Sequence, residues 1–355
     1  MFGQFFNHKP LGGAVLLFED ILIKILKAVD GERTISSPYH LLKGKKSGQT
    51  LQDIGYYKLS PFFGILPRLQ KKEYDKAVQN LFDKGLIVID GQVVRVTEKS
   101  GSHSPGPSLL NGWKFRGNEH LFLARLSLIV QSLSHVHQDV RIFDPVVIAD
   151  DTQRWVKAYL SKIDFRNSES CRRFRDEIAA SLALVKVEDQ PKMVVMQRLS
   201  GYKIGGLTWE QISRTGGYGI IDVQLQAIET LHGWMETIEA GSFPLLKGLL
   251  EGVIQQSSLT ETARRTQSYF ENGRTLEEIA ALRGLKTSTI EDHFVELAMN
   301  DPSFDILAFM ESSRLGKIIS VSQMQNTKRL RDIKEQVPEA TYFQIRLALA
   351  AEGVH

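Results

Sequence analysis

The chain has one cysteine, Cys171, in 355 residues, so no intramolecular disulfide can form and a reducing compartment suits it. It also lacks a long hydrophobic run. The longest apolar stretch near the start, Ala14 to Leu26, is broken by Glu19, Asp20 and Lys24. That is short of the roughly 20 apolar residues a membrane-spanning helix needs. The opening residues place Phe2, Phe5 and Phe6 ahead of His8 and Lys9, the reverse of a secretory leader, and no small-residue cleavage site follows. A cytoplasmic, nucleoid-compatible location is therefore expected. Charge of one sign is scarce too: 44 Lys and Arg face 41 Asp and Glu. A polyanion would have to be held by local patches rather than by overall charge. The first hundred residues supply such an imbalance, with 15 basic against 10 acidic side chains.

Catalytic machinery is equally thin. A phosphate-binding loop needs a Gly-rich turn ending in Gly-Lys-Ser/Thr so that backbone amides can cradle phosphates. The nearest approach is Gly44-Lys45-Lys46-Ser47, but Tyr39 stands where the first glycine belongs and Lys46 displaces the hydroxyl. No Asp-Glu-x-His run is present to hold magnesium, and no nucleophile–base–acid set is recognisable. His135, His137 and Asp139 alternate in a way that converges poorly on a metal, and no cysteine pair supports them. Cys171 lies beside Arg172 and Arg173, which would lower its pKa, yet without a histidine partner an inert thiol is expected. Trp113, Trp155, Trp209 and Trp234 read as core anchors. The expectation is a non-enzyme with no cofactor and no metal.

What is present is a soluble composition, 42% apolar and 24% charged, long enough for two or three domains. The stretch Ser100 to Gly112 is punctuated by Gly, Ser and Pro and has no apolar period. It divides the chain into a first domain over 1–101, a linker over 102–117, a helical middle domain over 118–256 and a last domain over 257–355. The fold class is mainly α: an N-terminal winged helix with a small β-ribbon, a helical middle and a C-terminal helix-turn-helix bundle.

In the first domain Leu17, Ile21, Ile25 and Val29 recur at helical spacing before Gly31. Ser37-Pro38 predicts the cap and first turn of a short helix to Leu42. Tyr74, Val78, Leu81 and Phe82 form the apolar stripe of a third helix ended by Gly85, with Lys72, Lys76 and Gln79 on its other side. Runs at 86–89 and 93–96, joined through Asp90-Gly91, predict a β-hairpin. In the middle domain helices are expected around Leu121–Gln131, Trp155–Leu160 and Val223–Ile238, and behind the capping pair Thr208 and Gln211. Gly216, Gly217 and Gly219 argue for a plain helical connector over Gln190–Trp234 rather than another helix-turn-helix.

The last domain is the most legible. Ser258 with Glu261, and Thr275 with Glu278, have capping-box spacing, and Asn272-Gly273 stops the first helix. Leu276, Ile279, Ala280 and Leu282 lie on the second helix, Gly284 makes the tight turn and Leu285 plugs the core. Thr287 or Ser288 caps a third helix facing inward through Ile290, Phe294 and Leu297. Helix, glycine turn, helix is the order of a helix-turn-helix. Leu330, Ile333 and Val337 precede Pro338, and Thr341 with Gln344 caps a final helix through Ile345, Leu347 and Leu349.

Candidate nucleic-acid contacts follow. His40, Lys43, Lys45, Lys46 and Ser47 cluster in one turn; Arg68, Lys71, Lys72 and Lys76 cluster at the third helix. Such ammonium and guanidinium groups neutralise phosphates and release counterions. Charge runs are usually just solvated surface, but two within one winged-helix pattern favour nucleic acid. Arg95 on the ribbon is evenly balanced. In the helix-turn-helix, Lys286, Thr287, Ser288, Thr289 and His293 occupy the groove-facing positions of a recognition helix. Glu291, Asp292 and Glu296 share that helix and would repel phosphate, so a protein-docking face weighs equally. Arg264, Arg265, Arg274 and Arg283 are further backbone candidates. Lys328, Arg329, Arg331 and Lys334 make the densest basic helix.

Two stretches carry a resemblance. Residues 258–350, with LEEIAALRGL and STIEDH at their core, resemble the helicase-associated helix-turn-helix domain at the C-terminus of some RecQ-type helicases. Residues 36–101 resemble the winged-helix domain that follows a RecQ helicase core. The whole architecture resembles the YpbB-like proteins of Gram-positive bacteria, associated with a short RecQ-type helicase. The resemblance implies a non-catalytic DNA-binding accessory protein with two partners: single-stranded, duplex or forked DNA, and a RecQ-type helicase acting in repair, recombination or fork processing. Some RecQ wings part strands with an aromatic at the ribbon tip. Here the tip is Asp90-Gly91-Gln92, which puts strand separation by this wing in doubt. A helix-turn-helix transcription regulator and a protein scaffold without nucleic-acid binding are the alternatives.

Overall fold

A computed structural model describes residues 17–102, 109–140, 142–254, 259–301 and 303–352. The chain divides into two compact units. Among the described residues, one holds 17–21 and those from 109 to 254; the other holds 22–102 and those from 259 to 352, so the first and last segments pack as one body rather than as separate domains.

Residues 17–102 form α1 (Leu17–Val29), whose first five residues group with the other unit, then α2 (Ser37–Leu42), α3 (Gly48–Tyr56), α4 (Lys71–Asp83), β1 (Ile87–Asp90) and β2 (Val93–Val96). Ile21, Ile25 and Val29 are buried, and Gly31 takes φ +75 after the helix, a conformation glycine adopts without a Cβ penalty. The expected Ser37 cap is displaced by one residue. Ser36 occupies the cap position without a side-chain bond, and Ser37 Oγ turns to Asp53 Oδ2 at 3.3 Å. On α4, Tyr74, Val78 and Leu81 are buried, but Phe82 is 45% exposed, so it belongs to the solvent side of the stripe. The hairpin pairs Ile87 with Val96, Val88 with Arg95, Ile89 with Val94 and Asp90 with Val93. Asp90 is therefore still in the ladder, and Gly91-Gln92 form the turn, with Gly91 at φ +58. A single bridge between Thr34 and Val93 adds a third extended segment to its edge.

Helix α3 has no counterpart among the sequence expectations. Its glycines, Gly48 and Gly55, disguise it as loop, because glycine inside a helix costs about 0.5–1 kcal/mol relative to alanine. Both are used for close approach: a Cβ on Gly48 would sit 2.8 Å from Asp292 Oδ2, and one on Gly55 2.7 Å from Met299 Cε.

The middle unit contains α5 (Gly112–Phe115), α6 (Glu119–Val136), α7 (Asp150–Lys162), α8 (Ser168–Ala183), α9 (Asp189–Gln197), α10 (Trp209–Gly216), α11 (Ile220–Ala240) and α12 (Pro244–Lys247). Helix α11 packs against α6, α8, α9 and α10. At its centre Trp234 is fully buried, edge-on to Phe122, and donates Nε1–H to Ser181 Oγ at 2.7 Å. The predicted linker 102–117 is too long. Leu110 and Phe115 are buried, and Asn111 N–H donates to His232 Nδ1 at 2.9 Å, so these residues belong to the unit's core. The Thr208–Gln211 capping box forms as expected.

The last segment contains α13 (Glu261–Glu271), α14 (Leu276–Arg283), α15 (Thr287–Asn300), α16 (Ser312–Met324), α17 (Leu330–Gln336) and α18 (Tyr342–Glu352). The proposed cap Ser258 lies outside the described residues. Thr260 caps α13, its Oγ1 accepting from Ala263 N at 3.2 Å, and Glu261 is the first helical residue. The Thr275–Glu278 box forms, and Gly284 ends α14 at φ +60. Leu282 is 60% exposed, not a core residue. Helix α15 begins after Lys286 with no side-chain cap, so neither Thr287 nor Ser288 fills that role. It packs against α13, α14, α18 and α3, burying Ile290, Phe294 and Leu297. Phe270, Phe304, Phe309 and Phe343 close around Phe294.

Candidate nucleic-acid interface

The two basic clusters of the first segment meet around one aromatic side chain. Tyr39 projects from α2, and both Lys43 Nζ and Lys71 Nζ lie 5.5 Å from its ring centroid; Lys71 is also 4.9 Å from that of Tyr74. Two ammoniums over tyrosine faces are each attracted by the ring quadrupole, which lets them approach despite their repulsion. Lys43 Nζ and the Tyr39 hydroxyl both donate to the Leu69 carbonyl at 3.4 Å, tying the α2 turn to the start of α4. His40 reports the field there: partial burial first, then the charges of Lys45 and Lys71, push its pKa below the usual histidine value. Lys45, Lys46, Arg68, Lys72 and Lys76 are exposed, Lys72 and Lys76 standing one turn apart on α4. Lys71 also pairs with Asp75. Ser47 is not a free contact. It caps α3, accepting from Thr50 N at 3.4 Å.

In the helix-turn-helix, Lys286, Thr287 and Ser288 are exposed at the start of α15, with Thr289 half-buried. His293 does not face outward. It is buried, its Nδ1 2.8 Å from Thr266 Oγ1 and 3.4 Å from Arg283 Nη1, its Nε2 3.2 Å from Thr262 Oγ1. Arg283 can only donate, so Nδ1 is the lone-pair nitrogen and Nε2–H donates to Thr262. Burial and then the Arg283 charge hold this imidazole down at a pKa of about 4.

The three carboxylates of α15 are occupied inside the unit. Glu296 is buried and accepts from Thr260 N and, at 3.0 Å, from Thr260 Oγ1. Asp292 pairs with Arg346 of α18, and Glu291 lies 3.8 Å from the same guanidinium. With the Gln52 amide turned so that its oxygen rather than its nitrogen faces the guanidinium, it accepts from Arg346 Nη2 and Nε at 2.6 and 2.8 Å. The acidic residues that argued against phosphate are thus largely neutralised, and only the first turn of α15 remains open for a groove.

The basic stretch at 328–334 is mostly structural. Lys328 Nζ bonds Glu352 at 2.5 Å, and its backbone N–H donates to Glu32 at 2.9 Å. Arg329 donates to the Gly31 carbonyl at 2.7 Å, and Lys334 to the carbonyls of Pro338 and Ala340, both at 2.7 Å. The Lys328 backbone and Arg329 tie the last segment to the first, while Lys328 Nζ and Lys334 hold the last segment to itself. Arg331 alone is strongly exposed, pairing with Glu335 at 3.1 Å. Among the other arginines, Arg264 pairs with Glu261 and Arg274 with Glu278, while Arg283 is spent on Thr262 and Thr266. Arg95 is exposed and lies against Gly31. Sequence reasoning missed Tyr39, whose place between two lysines depends on how α2 meets α4, and Arg346, whose partners lie far away in the chain.

In the middle unit His135 is engaged by the Gln131 carbonyl at 2.8 Å and stacks on Phe143. Burial raises the Cys171 thiol pKa, opposite to the lowering its neighbouring arginines suggested. No helix among the described residues is long and apolar enough to cross a membrane.

Comparison with known proteins agrees with the C-terminal geometry. Residues 262–349 match a helix-turn-helix domain family. Over 346 residues the chain is 28% identical to Protein YpbB of Bacillus subtilis (strain 168), covering 94% of this chain and 97% of that protein. No solved structure matches.

Proposed function

We propose that this YpbB-like chain, mainly α-helical with a C-terminal helix-turn-helix domain, is a non-catalytic DNA-binding accessory protein for a RecQ-type helicase. The observation that carries the DNA half is the meeting of Lys43, Lys45 and Lys71 around Tyr39 and His40, with exposed Lys72 and Lys76 beside them on α4. A cationic surface of this kind binds phosphates without reading bases, giving sequence-tolerant, salt-sensitive affinity. The helicase half rests on the resemblance of residues 36–101 and 258–350 to domains that longer RecQ-type helicases carry in cis. The motor would then hydrolyse ATP while this cytoplasmic chain holds forked, duplex or single-stranded DNA during repair or recombination.

Salt titration of DNA binding tests the first half. Each phosphate contact contributes about 0.9 to the slope of log K against log salt on duplex. Replacing Lys45 and Lys72 with Gln is expected to flatten the slope by roughly 1–2 units and to weaken binding at low salt for every sequence. An unchanged slope would favour the scaffold alternative. Co-purification with the helicase, followed by DNA-stimulated ATPase and unwinding, tests the second half; absence of a complex and of any rate change rejects it.

A second reading gains from one observation. Because Glu291, Asp292 and Glu296 are engaged internally, the exposed first turn of α15 meets no uncompensated acid, as an operator-reading regulator requires. Selection from random duplexes separates the two readings, since a strong consensus belongs only to the regulator.

A further inference from the structure

The middle unit holds a cavity of about 570 Å³ bounded by α6, α8, α9 and the turn at residues 200–204. Protein interiors normally leave few voids larger than a water molecule, whereas small-ligand sites fall in the range of roughly 300–1,000 Å³. Its inner wall is apolar: Leu133, Phe174, Met196 and Leu199 line it and are all buried. The far wall is preformed. Gly201 and Ile204 exchange backbone hydrogen bonds at 2.8 and 3.1 Å, and Tyr202 N–H donates to Ser134 Oγ of α6 at 2.9 Å.

The mouth has a different chemistry. Arg172 and Arg175 of α8 line it, their side chains 60% and 36% exposed. Arg172 pairs with Glu169, which also lines the mouth, at 2.5 Å, and Arg175 with Asp176 at 2.7 Å. These are short-range, solvent-exposed pairs of the kind that contribute little, so a ligand anion can exchange with either carboxylate. Of the two partner carboxylates only Glu169 lines the mouth with the two guanidiniums; Asp176 is not part of the lining. Cys171 adds only to the wall, its thiol donating to the Phe165 carbonyl at 3.1 Å.

We propose that this cavity binds an amphipathic carboxylic acid, its hydrocarbon chain against Leu133, Phe174, Met196 and Leu199 and its carboxylate held by Arg172 and Arg175. Apolar walls with a small number of placed polar groups at one end fix the orientation of such a ligand. Guanidinium is the side chain best shaped to take a carboxylate through two parallel N–H bonds. The assignment is independent of the DNA-binding reading.

Calorimetric titration of the full chain with decanoate, decanol and decylamine, each below its micelle concentration, tests it. Decanoate is expected to bind saturably at one site, decanol at least tenfold more weakly, and decylamine not at all. Arg172→Glu/Arg175→Glu, a surface variant that leaves the core intact, is expected to abolish decanoate binding. Leu199→Phe, which puts a ring into the cavity, should do the same, with the fluorescence of the unit's own tryptophans reporting whether that unit still folds. No saturable heat with decanoate, equal affinity for decanol, or undiminished binding by the double arginine variant would overturn the proposal. So would binding of a Gly-Gly-Leu-Leu-Phe peptide through its free C-terminus in place of decanoate, which would assign the site to a polypeptide end.

Discussion

His293 shows how a residue chosen for reading DNA is instead spent on holding the domain together. Its neutral form is required by the donors around Nδ1, and its pKa of about 4 lies below the unfolded value of about 6.5. The unfolded chain therefore takes up a proton between these values that the folded chain refuses. Stability from this group is fully present above about pH 6.5 and is lost as pH falls toward 4, by at most about 3 kcal/mol. Urea midpoints of unit unfolding are expected to fall from pH 7 to pH 5, and His293→Gln to flatten that dependence. Arg346 acts at the same scale. It satisfies Asp292, approaches Glu291 and bonds Gln52, so Arg346→Met leaves two carboxylates of α15 and an amide of α3 without their partner. A loss of about 2–4 kcal/mol is expected by denaturant titration, consistent with removing one member of a partly buried pair.

At the scale of elements, what matters is how closely two stretches of backbone approach. Gly44 and Gly64 both take positive φ, +72 and +68, and a Cβ on Gly44 would stand 3.0 Å from Gly64 Cα. Gly44→Ala is expected to cost about 1–3 kcal/mol through backbone strain. Because Gly44 directly precedes Lys45, it should also weaken DNA binding at temperatures where the variant remains folded. Helix α15 illustrates the complementary point. Most of it is core, so only its first turn is free to recognise anything. Lys286→Glu with Ser288→Glu is expected to lower DNA affinity severalfold in a gel-shift titration while leaving the denaturation midpoint within about 0.5 kcal/mol, as exposed substitutions usually do.

At the scale of the whole molecule, the pairing of residues 22–102 with 256–355 in one unit makes the basic patch and the helix-turn-helix parts of the same body. All four tryptophans, Trp113, Trp155, Trp209 and Trp234, belong to the other unit. Tryptophan fluorescence is therefore expected to follow that unit alone, while far-ultraviolet circular dichroism follows both. Arg346→Met should shift only the transition seen by dichroism and leave the tryptophan transition in place. Coincident shifts in both signals would show that the units unfold together.

Local signals in this chain survive into the structure wherever few residues decide the outcome. The Thr208, Thr275 and Thr341 caps, the stops at Gly31, Gly85 and Gly284, and the hairpin after α4 are contained in a handful of neighbouring side chains. Helix α3 was invisible because its glycines serve a helix more than 230 residues away, and the thinly striped α16 was not anticipated either. The same holds for function. Lysine content near positions 43–46 and 68–76 is a property of the sequence, and so is the helix-turn-helix spacing. Only the fold decides that Lys43 and Lys71 share Tyr39, that His293 points inward, and that Lys328 and Arg329 bind Glu32 and Gly31 instead of phosphate. The physical reason is that caps and turns are settled by interactions over three or four residues, whereas a charge's role depends on which distant group reaches it first.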